Sequence, residues 1–380
     1  MRGSIPLGRV MGIRLSIHIT FVLLLAWIMW LGWGMSGWAG SLWCGALFGS
    51  LFLCVLLHEL GHCVVAIRYG VKVYGITLLP IGGVASMSRI PERPSQEFFV
   101  AVAGPLVNVV IAGTLILLTG SLPDLTGLED VPDNVGELVD HIIRANIWLV
   151  LFNMIPAFPM DGGRVLRSML AAVLPYLTAT IIAARIGQVA ALVFIVKGFA
   201  FSPILPIIGV FIFWAAGTEM QSVRVRTALQ GVKVVDLMRL APVALAPDDV
   251  LARCAEIANA SGQLDFAVLV EGRSVGILPY ARWTAEIERR DPSTARVGAV
   301  MLRRFTVIQG ETDALHLFQD QRFFRQKSFP VLDGARIAGF VRMEDLLRFV
   351  DGESAAGPGG GQPGPQGPLQ GGQGLRVDLG

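Results

Sequence analysis

The sequence predicts a polytopic α-helical membrane domain of six spans over residues 1–220, followed by a soluble α/β domain built as an internal repeat. Three observations predict it: the composition, the sign of the charges between apolar runs, and a constant offset between matching residues in the C-terminal half. Of 380 residues, 53% are hydrophobic and only 16% are charged, against roughly 25% charged in a soluble domain. The mean hydropathy of +0.60 over this length implies lipid rather than a large aqueous core. A formal net charge of +2 excludes a strongly basic nucleic-acid binder, so no nucleic-acid partner is expected. Cys44, Cys54, Cys63 and Cys254 show no C-x-x-C spacing, so neither a disulfide framework nor a cysteine zinc site follows. They read as small buried apolar residues.

No Asp, Glu, Lys or Arg lies between Arg14 and Glu59, which is room for two spans of about 20 residues each. The apolar run from Ile17 is longer than a signal-peptide core and is followed at once by a second, so the first span is retained. The six spans fall at about 16–36, 42–67, 97–120, 139–159, 178–200 and 203–220. Alternate loops differ in charge. Arg2, Arg9 and Arg14, then Arg68, Lys72, Arg89 and Arg93, then Arg164 and Arg167, then Arg224 and Arg226 mark one side. The other side has an uncharged turn at Gly37–Ser41 and an acidic loop with Asp124, Glu129, Asp130, Asp133 and Glu137. The basic side is cytoplasmic by the positive-inside rule, which puts both termini and the soluble domain inside the cell membrane. Trp30, Trp33, Trp38 and Trp43 cluster at the first outer turn, as an interfacial belt does.

The second span ends in His58-Glu59-Leu60-Gly61-His62, an H-E-x-x-H pattern. On a helix, positions i and i+4 share a face, so His58 and His62 can hold one zinc ion. Glu59 lies one residue round, where it can deprotonate a water activated by that metal. Two histidines and a glutamate in an apolar span are costly without partners or a function. A catalytic zinc usually has three protein ligands. Asp161 follows the fourth span, which Pro156 and Pro159 break. Prolines there unwind the helix where a cavity can receive the freed backbone groups. Asp161 is therefore either the third ligand or a cap of the following helix.

Together these residues resemble the site-2 protease family of intramembrane zinc metalloproteases. The resemblance covers about 1–220 and is carried by His58-Glu-Leu-Gly-His62, by Asn153-x-x-Pro156-x-x-Pro159-x-Asp161-Gly162, and by Gly104-Pro105-Leu-Val-Asn108. It implies that Asp161 is the third zinc ligand. It also implies that Asn153 stabilises the tetrahedral intermediate or holds substrate, a role that suits an amide donor in a water-poor site. The bland alternative for Asn153, and more so for Asn108, is an interhelical hydrogen bond.

Residues 72–90 are apolar but too broken for a span, with partial alternation and a turn or bulge at Gly82-Gly83. They read as a short hairpin dipping into the membrane beside the zinc. Its open edge either pairs with an unwound substrate by β-addition or plugs the cavity. Gly82, Gly83 and Asn108 are thus the candidate substrate-binding residues. His18, His141 and His316 are not assigned to zinc, and Arg185 and Lys197 snorkel or face the bundle interior.

In the soluble part, Asp236-Leu-Met238 matches Ala299-Val-Met301, Phe266 matches Phe329, and Val275-Gly276-Ile277 matches Ala338-Gly339-Phe340, always 63 residues apart. Asp333-Gly334 is a hairpin signal. After a linker at 221–232, the copies at 233–290 and 296–350 resemble a tandem pair of CBS domains. The resemblance implies an adenine-nucleotide ligand, with Asp345 at the ribose, and dimerisation between copies of the chain. Arg342 replaces the hydroxyl residue of that motif, and Pro279 and Arg282 depart from it in the first copy. The alternative is a packing or dimerisation module without a ligand. Residues 351–380 are mostly Gly, Pro and Gln and read as a disordered tail.

The reading is a multi-pass protease that hydrolyses peptide bonds in or beside the transmembrane segments of membrane proteins, using one zinc ion. Glu59 would deprotonate water and later protonate the leaving amine, while the metal and Asn153 stabilise the oxyanion. The alternative is a non-proteolytic transporter or sensor gated by its CBS domains, which leaves Glu59 and the Asp161 motif without a role.

Overall fold

The computed structural model describes residues 3–80, 82–88, 91–120, 122, 124–125, 131–319, 328–334, 336–352 and 375–376. Apart from 351–352 and 375–376, the expected disordered tail lies outside the described residues. The chain divides into two compact units, Met1–Gln221 and Ser222–Gly380.

The first unit opens with two strands where the sequence reading had only a flank and the start of a span. Strands β1 (Ser4–Val10) and β2 (Ile13–His18) form an antiparallel hairpin. Met11 and Gly12 make its turn with φ of 51° and 82°. Ile13 and Leu15 alternate into the core, which is the period-2 signal of a half-buried strand. Helix α1 (Ile19–Arg68) therefore begins at Ile19 rather than near residue 16, with the His18 ring accepting from the Thr20 N–H.

Helix α1 has non-helical backbone at Ser36 and Gly37. The Phe21 and Phe52 ring centroids are 4.3 Å apart, whereas a straight helix would separate them by about 46 Å. The helix thus folds back on itself as two antiparallel limbs, matching the first two expected spans. Next come β3 (Val73–Leu79) and β4 (Gly82–Met87), the expected hairpin. The sheet order is β1-β2-β3-β4, with β2 and β3 parallel across α1. Ile13, Leu15 and Ile76 pack with Leu56, Leu60 and Cys63, so the sheet lies against the second limb of α1. Its edge strand on that side is β4.

Helices α2 (Pro94–Thr119), α3 (Val135–Asn153), α4 (Asp161–Ala171) and α5 (Tyr176–Phe201) follow, and α6 (Ile204–Leu229) completes the unit and runs on past its end at Gln221. Residues 154–160 are non-helical, as Pro156 and Pro159 predict. Among the described residues four helices are long and apolar enough to cross a membrane: α1, α2, α5 and α6. The protein is a multi-pass membrane protein. The expected fourth span, 139–159, is not among the four. Helix α3 covers only its first part and carries Glu137, Asp140 and Arg144 near its start.

The second unit is an internal duplication. Helix α7 (Val234–Leu237), strand β5 (Arg239–Leu240), α8 (Leu251–Ser261), β6 (Phe266–Val270), β7 (Arg273–Leu278) and α9 (Tyr280–Ile287) form the first half. Helix α10 (Val297–Val300), β8 (Ile308–Gln309), α11 (Ala314–Gln319), β9 (Ser328–Asp333), β10 (Arg336–Arg342) and α12 (Met343–Val350) form the second. Pairing repeats with the same offset as the sequence. Leu245 bridges Val268 in parallel as Ile308 pairs with Val331, and Ile277 bridges Leu302 as Phe340 pairs with Arg239. The segment before each half therefore joins the sheet of the other. Ala267 and Ile277 from one half pack with Leu332, Ile337 and Phe340 from the other. Strand β11 (Leu375–Arg376) lies between β7 and β10.

Candidate metal centre and active site

His58 and His62 sit one turn apart on the second limb of α1, and Asp161 is the first residue of α4. All three are at least nine-tenths buried. The His58 and His62 Nε2 atoms are 3.1 Å apart, and Asp161 Oδ2 is 3.1 Å from the first and 3.2 Å from the second. These are the edges of a near-equilateral triangle. A tetrahedral zinc with N and O ligands at about 2.0–2.1 Å sets its ligand atoms about 3.3 Å apart, so the donor set fits that ion. Asp161 is not the N-cap of α4; that position is Met160, which makes no side-chain cap. Its carboxylate faces the imidazoles instead, with Arg164 Nη1 3.9 Å from its other oxygen.

Hydrogen bonding fixes which imidazole nitrogens face the triangle. His62 Nδ1 donates to the Val100 carbonyl at 2.6 Å, an acceptor only. Asn146 Nδ2 donates to the Ile142 carbonyl at 2.8 Å, and Asn108 Nδ2 donates to Asn146 Oδ1 at 2.6 Å. That orients Asn108 Oδ1 to accept from His58 Nδ1 at 2.5 Å. Both Nδ1 atoms therefore carry hydrogen, so in the neutral rings both Nε2 lone pairs converge on a carboxylate oxygen. Three buried acceptors facing one point repel unless a cation stands among them. Second partners of this kind set the tautomer of metal-binding histidines.

Gly104 makes room for this arrangement. A Cβ there would lie 2.3 Å from His62 Nε2 and 2.7 Å from His58 Nε2. The Gly104–Asn108 segment of α2 thus serves the centre twice, by close approach and by the Asn108 amide. Asn108, expected among the substrate-binding residues, is fully buried and bonded to His58 and Asn146. It supports a histidine from behind and makes the interhelical bond instead.

On the open side lies a cavity of about 400 Å³ lined by His58, Glu59, Gly82, Gly83, Asn153 and Pro159, among others. A Cβ at Gly83 would lie 2.6 Å from Glu59 Cγ, so β4 can run against Glu59 only as glycine there. Gly82, Gly83 and Val84 present the edge of β4 to the cavity. Asn153, the last residue of α3, lines the same space; its amide donates to the Leu149 carbonyl at 3.0 Å. Phe211 and Ile212 of α6 close another side. Asn146 and the Val100 carbonyl escaped the sequence reading. Asn146, an amide in an apolar helix, was the one available signal; a carbonyl leaves none.

In the second unit Asp345 is 4% exposed. Its Oδ1 accepts from Arg239 Nε at 2.7 Å, and its Oδ2 accepts from the Arg342 backbone N–H at 3.1 Å. Arg342 Nε lies 3.6 Å from both Asp345 Oδ2 and Asp265 Oδ2. The carboxylate expected at a ribose is thus engaged inside the protein, as a helix cap and an ion-pair partner.

The family model of peptidase family M50 matches residues 46–144, a stretch that holds the H-E-x-x-H helix and the Gly104–Asn108 segment. The zinc metalloprotease MJ0392 of Methanocaldococcus jannaschii is 33% identical over 351 residues, 92% of this chain and 97% of that protein. A solved site-2 protease from Methanocaldococcus jannaschii is 40% identical, covering 57% of this chain and 95% of its own, with a TM-score of 0.43. The CBS domain pair of protein MJ0100, solved with 5′-methylthioadenosine and S-adenosyl-L-methionine, is 20% identical over 32% of this chain and 98% of its own, with a TM-score of 0.28. By its identity to a zinc metalloprotease over nearly the whole length, and by the zinc-fitting triangle beside Glu59, the chain belongs to peptidase family M50, the site-2 protease type of zinc metalloprotease.

Proposed function

We propose that His58, His62 and Asp161 hold the zinc ion and that the cavity beside them is where a membrane-protein segment is cut. The observation that carries this reading is the convergence of three buried acceptors, 3.1–3.2 Å apart, with both Nδ1 hydrogens committed elsewhere. Held by these three residues, a zinc ion would supply Lewis acidity to the scissile carbonyl and to a water near neutral pH. Glu59, on the cavity side of the same helix, accepts the proton of the attacking water and returns it to the leaving amine. Asn153 spends one amide hydrogen on Leu149; the other is the donor for the developing oxyanion. A helical substrate shields its carbonyls, so it must unwind, and the edge of β4 is the surface on which its freed backbone pairs.

The topology that suits this chemistry has six crossings: the two limbs of α1, then α2, α3, α5 and α6, with both termini and the second unit cytoplasmic. Arg9, Arg14, Arg68, Lys72, Arg164, Arg224 and Arg226 on one side support it. The second unit reads as a tandem CBS pair, at 233–290 and 296–350, that regulates cleavage. Its support is the duplicated pairing at a 63-residue offset. An adenine nucleotide at Asp345 requires Arg239 to leave that carboxylate.

The test is Glu59→Gln in purified protein reconstituted with a single-span membrane substrate. The expected result is near-stoichiometric zinc with cleavage lost. Near-wild-type cleavage overturns the base assignment. Asn153→Ala should keep its zinc and slow turnover by roughly 100-fold or more.

A further inference from the structure

We propose that Arg167 is a positioning residue for the metal centre: it clamps α4 to α2 and α6 and so fixes the Asp161 carboxylate against His58 and His62. The inference rests on the reading of those three residues as metal ligands. By sequence Arg167 is one of several arginines marking a cytoplasmic loop. In the structure it is fully buried, and among the described residues it is the largest such side chain.

Its guanidinium is used on every side. Nε donates to Glu97 Oε1 at 2.8 Å and Nη2 forms a second, shorter bond to the same oxygen. Nη1 donates to Glu219 Oε1 on α6 at 2.6 Å. The guanidinium carbon lies 4.9 Å from the Phe158 ring centroid and 5.1 Å from that of Tyr176. Phe158 belongs to the non-helical turn that delivers Asp161, and Tyr176 begins α5. One cation thus ties down both the helix that starts with Asp161 and the turn that precedes it.

The second half of the argument is what Glu97 carries. Glu97 is 1% exposed, its other oxygen, Oε2, has no hydrogen-bond partner, and among the described residues Arg167 is the hydrogen-bond donor to that carboxylate. Glu97 lies three residues before Val100, whose carbonyl accepts from His62. The Arg167–Glu97 pair therefore joins the element that carries Asp161 to the element that orients His62. A planar fork with five donors fixes direction as well as distance, which a lysine cannot do. Arg164 pairs with Asp161 Oδ1 at 3.9 Å, and among the described residues no hydrogen bond ties it to α2 or α6.

The test uses the full-length protein in detergent, stripped of metal and titrated with Co²⁺, whose visible absorption reports ligand geometry. Wild type should give a tetrahedral spectrum that Asp161→Ala abolishes. Arg167→Met should bind Co²⁺ roughly 10–100-fold more weakly and with an altered spectrum in protein that still melts cooperatively. Arg167→Lys should fall between the two, and Glu219→Gln should lose less than Arg167→Lys. Should Arg167→Met fail to fold, this ordering of the other two variants carries the test. An Asp161-dependent spectrum and affinity that these variants leave unchanged overturn this inference alone. A wild-type spectrum indifferent to Asp161 overturns the metal assignment and this inference with it.

Discussion

Each unit buries a cluster of ionisable side chains, and the two are balanced in opposite ways. In the membrane unit His58, His62 and Asp161 point three acceptors at one place, and the protein's own hydrogens are turned away from it. In the soluble unit Asp265 and Asp345 meet Arg239 and Arg342, so charge is met by charge within the fold. Buried charges are paired or coordinate metals. With neutral rings the first cluster needs a cation among its acceptors; the second pairs its charges within the fold, with Arg342 Nε left in ion-pair contact but without a hydrogen bond. The same contrast separates the H-E-x-x-H site, where the family motifs are intact, from the second unit, where Arg342 stands where the CBS resemblance would expect a hydroxyl residue.

The largest effect that sharpens this comparison is expected from Asp161→Ala. On the proposed assignment, loss of one of three ligands should empty the site and abolish cleavage, read by metal analysis and a cleavage assay. Full zinc in that variant would mean the triangle is not the ligand set. Asn108→Ala comes next. The His58 ring then loses the acceptor that fixes its tautomer, and zinc affinity should fall roughly 10–100-fold by competition with a chelator. No change would show that packing alone orients His58.

Asp345→Ala should be milder. It removes a helix cap and an ion pair, at a cost of about 1–3 kcal/mol in thermal or denaturant unfolding of the second unit. Arg239, one-third exposed, can rehydrate, which keeps the loss below that of a fully buried pair. The reciprocal change, Arg239→Ala, frees the carboxylate. Calorimetry should find adenine nucleotide bound more tightly to Arg239→Ala than to wild type. Tight wild-type binding that depends on Asp345 would break the comparison, because the second cluster would then be a ligand site too.

The smallest effect is a pH slope. Burial pushes the Asp265 carboxyl up, opposed by the Tyr280 backbone N–H and the Arg342 guanidinium. A raised folded value means the folded state holds that proton more tightly than the unfolded chain. The associated stability is present below about pH 4, the ordinary carboxyl range, and is lost as pH rises through the folded value. Asp265→Asn, which cannot titrate, should flatten that part of the melting profile. An unaltered slope would assign it to another group.

What the sequence made legible follows the range of the interaction. His58, Glu59 and His62 could be placed because four residues make one helical turn. On spacing alone Asp161 could be placed only as a ligand or a cap, and it was the resemblance, not the pattern, that implied the ligand role. Asn146, the Val100 carbonyl and the buried clamp of Arg167 act between elements distant in sequence, so no spacing announced them. Arg167 misled in a specific way: positive-inside counting treats every arginine near a span end as solvated, and this one is not. The hairpin of β1 and β2 had a usable signal in Ile13, Leu15 and Ile17. Its neighbour, a long apolar run, masked the alternation. The duplication was fully legible because its 63-residue offset has no gaps.

The free edge of β4 beside Glu59 has a consequence for selectivity. A strand edge grips amide groups that every residue shares, and the two glycines facing the cavity offer no side chains with which to tell one residue from another. A protease that holds backbone in this way selects first on how readily a segment gives up its helix, and on the flanking residues only through Val84, Phe211, Ile212 and the other side chains lining the cavity. Its targets should then share helix-weakening residues such as Gly, Pro or Asn near the cut, and little else in common. A scan that moves a single Gly-Pro pair along one substrate helix should move the cleavage position with it.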